Sequence, residues 1–145
     1  MLVSVAETND SRQIRDLLLQ MHSETEFYVS PVDMEKLTYH ILSTIKNGCV
    51  FIVKDKDEIV GSIGGLIGGD WWSEELFLGD LWYYVKPSSR KSTAAIKLAK
   101  AFINYANCIN MRVKLGHVYS GDIDRKDNFY ERLGLVKTGS VFTEV

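Results

Sequence analysis

At 145 residues, with 46% hydrophobic and 25% charged side chains and two prolines, the chain can bury most of its apolar surface without disulfides or metals, and it fits one domain spanning residues 1–145. Its 17 basic and 19 acidic residues leave a net charge of −2, which argues against broad nucleic-acid binding, and no window approaches the ~18 apolar residues that cross a bilayer. Cys49 and Cys108 sit far apart in apolar segments with no ligand-like spacing, so they read as buried free thiols of a cytoplasmic protein without a metal site.

Leu2 to Glu7 alternates as a short strand. Asp10 and Gln13 then have capping-box spacing, and Ile14, Leu17, Leu18 and Met21 mark one face of a first helix. Ser30-Pro31 supplies an N-cap and a first-turn proline for a second helix, with Met34, Leu37, Ile41 and Ile45 inward and Asn47-Gly48 closing it. Cys49 to Lys54 and Ile59 to Ile67 read as strands of a hairpin turned at Asp55-Lys56-Asp57-Glu58. Gly61, Gly64 and Gly65 do not make a nucleotide loop, because no helix follows them. A strand from Glu75 to Val85 is followed by a helix from Lys91 to Asn107, a strand from Arg112 to Tyr119, a short helix from Asp124 to Leu133, and a closing strand from Val141 to Val145. The order gives an α+β domain with a mixed sheet.

Between Leu81 and Gly121 lie seven basic residues, Lys86, Arg90, Lys91, Lys97, Lys100, Arg112 and Lys114, and no Asp or Glu. Within this block a strand feeds a helix through Lys86-Pro87-Ser88-Ser89-Arg90-Lys91-Ser92-Thr93. A helix start among cations is suited to phosphate, because its first N–H groups lack intrahelical partners and the dipole is positive there. A solvated helix face accounts for Lys97, Lys100 and Asn104, though not for the lack of any acid over the whole block. An ATP-binding P-loop on Lys91-Ser92 fails, since its two glycine places hold Val85 and Arg90.

The element order, the segment Val85 to Ala95, and Asn128-Phe129-Tyr130-Glu131-Arg132-Leu133-Gly134-Leu135 resemble the GNAT superfamily of acetyl-CoA-dependent N-acyltransferases. Arg90 and Ala95 match the first and last places of that family's phosphate loop, while Thr93 and Lys91 stand where glycine is usual; Ile123 occupies a place often held by Asn. The resemblance implies a mixed, mostly antiparallel sheet flanked by about four helices. It implies acetyl-CoA as cosubstrate, with its pyrophosphate against Arg90, Lys91, Ser92, Thr93, Ala94 and Ala95, and a strand bulge near Tyr83 to Val85 offering backbone groups to the pantetheine. Its partners would then be acetyl-CoA and a small amine or peptide amine, with neither nucleic acid nor membrane; a homodimer is left open.

Acyl transfer to an amine needs a neutral nucleophile, a polarised thioester carbonyl and a proton for the departing thiolate. Tyr130, whose counterpart in the family points at the CoA sulfur, is the candidate acid. Asp80, a carboxylate among Leu78, Leu81 and Trp82, is the candidate base, since desolvation should raise its pKa; a turn or edge carboxylate beside Gly79 is the structural alternative. His117 is a rival base or a hydrogen-bonded structural histidine. Trp71 and Trp72 either wall a substrate pocket or form a protein contact. Fourteen acidic against six basic residues over the first 80 positions favour a cationic acceptor. Against the N-acetyltransferase reading stands a catalytically silent module of the same fold that binds CoA or a protein.

Overall fold

The computed structural model describes residues 1–25, 30–117 and 122–144. In chain order the elements are β1 (Leu2–Val5), α1 (Ser11–Ser23), α2 (Met34–Asn47), β2 (Cys49–Asp55), β3 (Glu58–Gly69), β4 (Leu76–Val85), α3 (Ala94–Cys108), β5 (Arg112–Lys114) and α4 (Ile123–Arg132), with short 3-10 turns at Thr8–Asp10 and Pro87–Ser89. The five strands form one sheet in the order β1-β2-β3-β4-β5. Neighbours are antiparallel except β4 and β5, which are parallel and joined by α3, the crossover that parallel pairing requires. Among the described residues this is the α+β domain that the element order predicts, with the mostly antiparallel sheet and four helices that the resemblance implies.

Two apolar layers hold it. On one face Ile14, Leu17 and Leu18 of α1 and Ile41 of α2 pack with Val50, Ile52, Ile59, Trp82 and Tyr84. On the other, Ala94, Leu98, Phe102 and Ala106 of α3 meet Val53, Val60, Ile63, Leu78 and Val85. Full burial of a Leu or Phe contributes roughly 1.5–3 kcal/mol, so this apolar face is what binds α3 to the sheet. The strand glycines permit that closeness. A Cβ on Gly64 would lie 2.3 Å from the Trp82 indole, and one on Gly65 would lie 2.4 Å from the Gly79 carbonyl oxygen and 2.6 Å from the Phe102 ring.

Several boundaries differ from expectation. Asp10 does not cap α1 with its side chain; its carboxylate accepts from the Glu7 N–H at 2.8 Å, and Gln13 instead accepts from the Ile59 N–H at 3.0 Å, tying α1 to β3. The second helix starts at Met34 rather than after Ser30, because Asp33 accepts from the Lys36 N–H at 2.9 Å and is the stronger cap. Cys49 is buried, which pushes its thiol up to about 12, but Cys108 ends α3 in an exposed position. The strand expected from Arg112 ends at Lys114, and its continuation to Tyr119 lies partly outside the described residues. The closing strand is absent among the described residues 141–144, where Val141 and Phe142 are 78% and 92% exposed and face no partner strand; Val145 lies outside them.

Candidate functional site

β4 carries a bulge. Gly64 pairs with Trp82 and Gly65 with Asp80, so Leu81 is left over. The bulge therefore falls at Leu81 and not at Tyr83 to Val85. Beside it the sheet parts: β4 and β5 are paired only from Phe77–Arg112 to Gly79–Lys114. Past that point the β4 edge has no strand partner among the described residues, and a cleft of about 890 Å³ opens between β4, the start of α3, residues 116–117 and α4. That size lies within the usual range for small-molecule sites.

At the chemical end of the cleft the backbone of Gly116 is gripped from both sides. Its N–H donates to Asp80 Oδ1 at 3.2 Å, and its carbonyl accepts from the Tyr130 hydroxyl at 3.3 Å. Burial raises Asp80 to about 6, although the Gly116 N–H partly offsets it. Burial and then the Asp80 charge push Tyr130 well above an ordinary phenol, so it holds its proton. Tyr83, Phe129 and Tyr130 form an aromatic wall with centroids 5.8–6.3 Å apart. The Tyr83 hydroxyl donates to the Ala95 carbonyl, which fastens β4 to the first turn of α3.

At the other end, the turn before α3 is built from its own serines. Ser92 Oγ donates to the Ser89 carbonyl at 2.5 Å and accepts from the Ala94 N–H at 3.1 Å. This delays the helix to Ala94, three residues later than its expected start. The N–H groups of Ser92 and Ala94 are thereby spent, whereas those of Lys91, Thr93 and Ala95 have no acceptor among the described residues. Arg90, Ser92 and Ala95 line the cleft with Tyr83 and Val85; Lys91 and Thr93 are exposed beside it and Ala94 is buried behind it. The Arg90 side chain turns inward. Nε donates to the Val85 carbonyl at 2.9 Å, Nη2 donates to Glu24 at 2.8 Å, and the guanidinium lies 5.3 Å from the Tyr84 ring centre. The Tyr84 hydroxyl has no hydrogen-bond partner among the described residues, and burial followed by the nearby Glu24 carboxylate pushes its pKa up.

His117 also lines the cleft and is hydrogen-bonded, its Nε2 2.7 Å from Asp127 Oδ1. Asp127, Glu24 and Phe129 are cleft residues or their supports that sequence reasoning missed. Asp127 had a signal, since it precedes Tyr130 by one helical turn and so shares its face; Glu24, 66 residues from its arginine, had none. Trp71 and Trp72 do not line the cleft: they are 93% and 68% exposed and pack edge to face with each other at 5.5 Å.

A sheet parted beside a bulged strand, with a helix start at one end of the opening and an acid–phenol pair at the other, is the frame of an acyltransferase. The chain belongs to the GNAT acetyltransferase family, whose model matches residues 14–135. No curated protein matches it in sequence. Among solved structures it is similar to an acetyltransferase of Trypanosoma brucei, with TM-score 0.72 and 17% identity over 99% of this chain and 98% of that one. It is also similar to a Clostridium acetobutylicum protein, described as a predicted acetyltransferase and solved with acetyl-CoA, with TM-score 0.78 and 12% identity over 99% and 95%. A third is the ribosomal-protein-alanine N-acetyltransferase of Brucella melitensis, with TM-score 0.71 and 12% identity over 100% and 99%. At these identities the likeness is one of fold. No helix among the described residues is long and apolar enough to cross a membrane.

Proposed function

We propose that the chain moves an acetyl group from acetyl-CoA to a primary amine by direct attack. The observation that carries this reading is the shared grip of Asp80 and Tyr130 on Gly116 at the mouth of the β4–β5 cleft. The three N–H groups at Lys91, Thr93 and Ala95 that are unspent among the described residues fit a pyrophosphate, and the edge of β4 from Leu81 to Val85, which no described strand pairs, fits the amides of a pantetheine arm. When bound, acetyl-CoA supplies the activated acyl group.

Asp80, raised to about 6, takes a proton from the acceptor ammonium at neutral pH. The freed amine nitrogen attacks the thioester carbonyl carbon, the carbon–sulfur bond breaks, and Tyr130 gives its proton to the departing sulfur. Thiol release from acetyl-CoA, measured across polyamines, aminoglycosides, amino acids and peptide N-termini, tests the reading. Thiol release that depends on one of these amines supports it; no release with any of them counts against it.

The Arg90–Glu24 pair favours a second reading, a silent module, because the one loop arginine is already neutralised. CoA binding without thiol release would be its signature.

A further inference from the structure

Amide formation from an ammonium removes two protons from nitrogen, and Asp80 can hold only one. The first leaves before attack and the second leaves the tetrahedral adduct; Tyr130, having given its own proton to sulfur, must also be refilled. A proton carrier next to Tyr130 would take the second proton from nitrogen and pass it to the Tyr130 oxygen. His117 stacks on Tyr130 with ring centres 5.6 Å apart and planes within 2° of parallel, and it lies on the cleft wall directly after the Gly116 that Asp80 and Tyr130 share.

Its neighbour decides which nitrogen is basic. Lys137 at 3.0 Å, and then His117, hold Asp127 below the usual carboxylate range, so Asp127 is ionised and can only accept. Neutral His117 must then donate from Nε2 to Asp127, which leaves the lone pair on Nδ1. Among the described residues Nδ1 has no partner. The charged groups around the ring are Asp127 on α4, Lys137 behind it, Asp80 across Gly116, and Asp122, Arg125 and Lys126 along the same wall.

We propose that His117, held in its Nε2–H tautomer by Asp127, is a second catalytic base of this site. Resting on the acetyltransferase reading, the sequence balances as follows. Asp80 takes the first proton from the ammonium. After attack, His117 Nδ1 takes the second from the adduct nitrogen. The carbon–sulfur bond breaks as Tyr130 protonates the sulfur, and His117 returns its proton to the Tyr130 oxygen. Asp80 then discharges to water, so one proton is released per turnover. Asp127 is a positioning residue.

Two measurements test this. Nitrogen-15 NMR of the free protein at neutral pH, which needs no activity, should show neutral His117 in the Nε2–H form; a dominant Nδ1–H form overturns the proposal. Thiol release from acetyl-CoA with the fastest amine of the panel should fall about 10²-fold in His117→Ala, with CoA affinity kept. Added imidazole should restore part of that rate. Asp127→Ala should lose about tenfold in kcat. If wild type releases thiol and His117→Gln matches it at every pH, His117 is structural and only this inference falls. If wild type releases none, the acetyltransferase reading falls and takes this with it.

Discussion

Glu24, just past the end of α1, and Arg90, in the turn before α3, close an ion pair of 2.8 Å across 66 residues, and both line the cleft that the cosubstrate would enter. Arg90 thus has two claimants, the carboxylate it holds and the pyrophosphate expected to arrive beside it.

Glu24→Gln releases Arg90 from that competition. CoA should bind on the order of fivefold more tightly, the ~1 kcal/mol scale of a partly exposed ion pair, and its binding should weaken more steeply with salt. Calorimetry with CoA at two ionic strengths reads this directly. Weaker binding by the variant would show instead that the pair holds the phosphate turn in shape.

Asp80→Asn should remove the inflection near about 6 from the acidic limb of kcat/KM and lower the plateau about 10²-fold, with CoA affinity intact. Stability moves the other way. A carboxyl raised on folding contributes stability that is present below its unfolded pKa and lost as pH rises through about 6. The variant should therefore melt higher than wild type at pH 8 and show no advantage at pH 4. An unchanged rate profile would return Asp80 to a structural role.

Tyr130→Phe keeps the ring that packs against Tyr83 and His117 while deleting the proton donor. Its hydrogen bond to Gly116 is long at 3.3 Å, so unfolding should cost no more than about 1 kcal/mol less, whereas kcat should drop about 10²-fold. Thermal melting and steady-state kinetics on the same preparation separate the two. A large stability loss with normal kcat would make the hydroxyl a structural group.

Gly65→Ala tests the strand glycines. Its Cβ would meet backbone on one side and the Phe102 ring on the other, so the α3 layer must shift, at a cost of about 1–3 kcal/mol in urea unfolding. Gly68→Ala, where a Cβ meets nothing within 4 Å, is the matched control and should change little.

Helical spacing and strand alternation made the elements legible because each has one buried face: Ile14, Leu17 and Leu18 in α1, and Leu98 and Phe102 in α3, are inward as their spacing requires. Ends were harder to read, since they depend on which polar side chain wins a backbone group, as Asp33 and Ser92 do. The acid-free basic stretch is mostly a pairing pattern: Lys86, Arg90, Arg112 and Lys114 each meet a carboxylate from residues 24–75. Such long-range neutralisation leaves no local trace. Tyr130 and Asp80 stood out because a family motif and an apolar setting surround them; the supporting Glu24 lies in neither.

Leu81 makes the count of residues in β4 matter. Side chains alternate along a strand, so Leu78 and Tyr83 ought to face opposite ways, yet both pack in the α3 layer with Val85, while Trp82 and Tyr84 pack under α1. The surplus residue inverts the alternation midway, which is how an aspartate and a tyrosine three apart come to serve one cavity. The same residues paired as a regular ladder, with no bulge, would send Trp82 and Tyr84 toward α3 and Tyr83 and Val85 toward α1, turning the strand's second half inside out. The bulge is therefore as strict a requirement in this stretch as residue identity, whereas the turn at residues 70–75, outside both strands, is where an added residue would be absorbed.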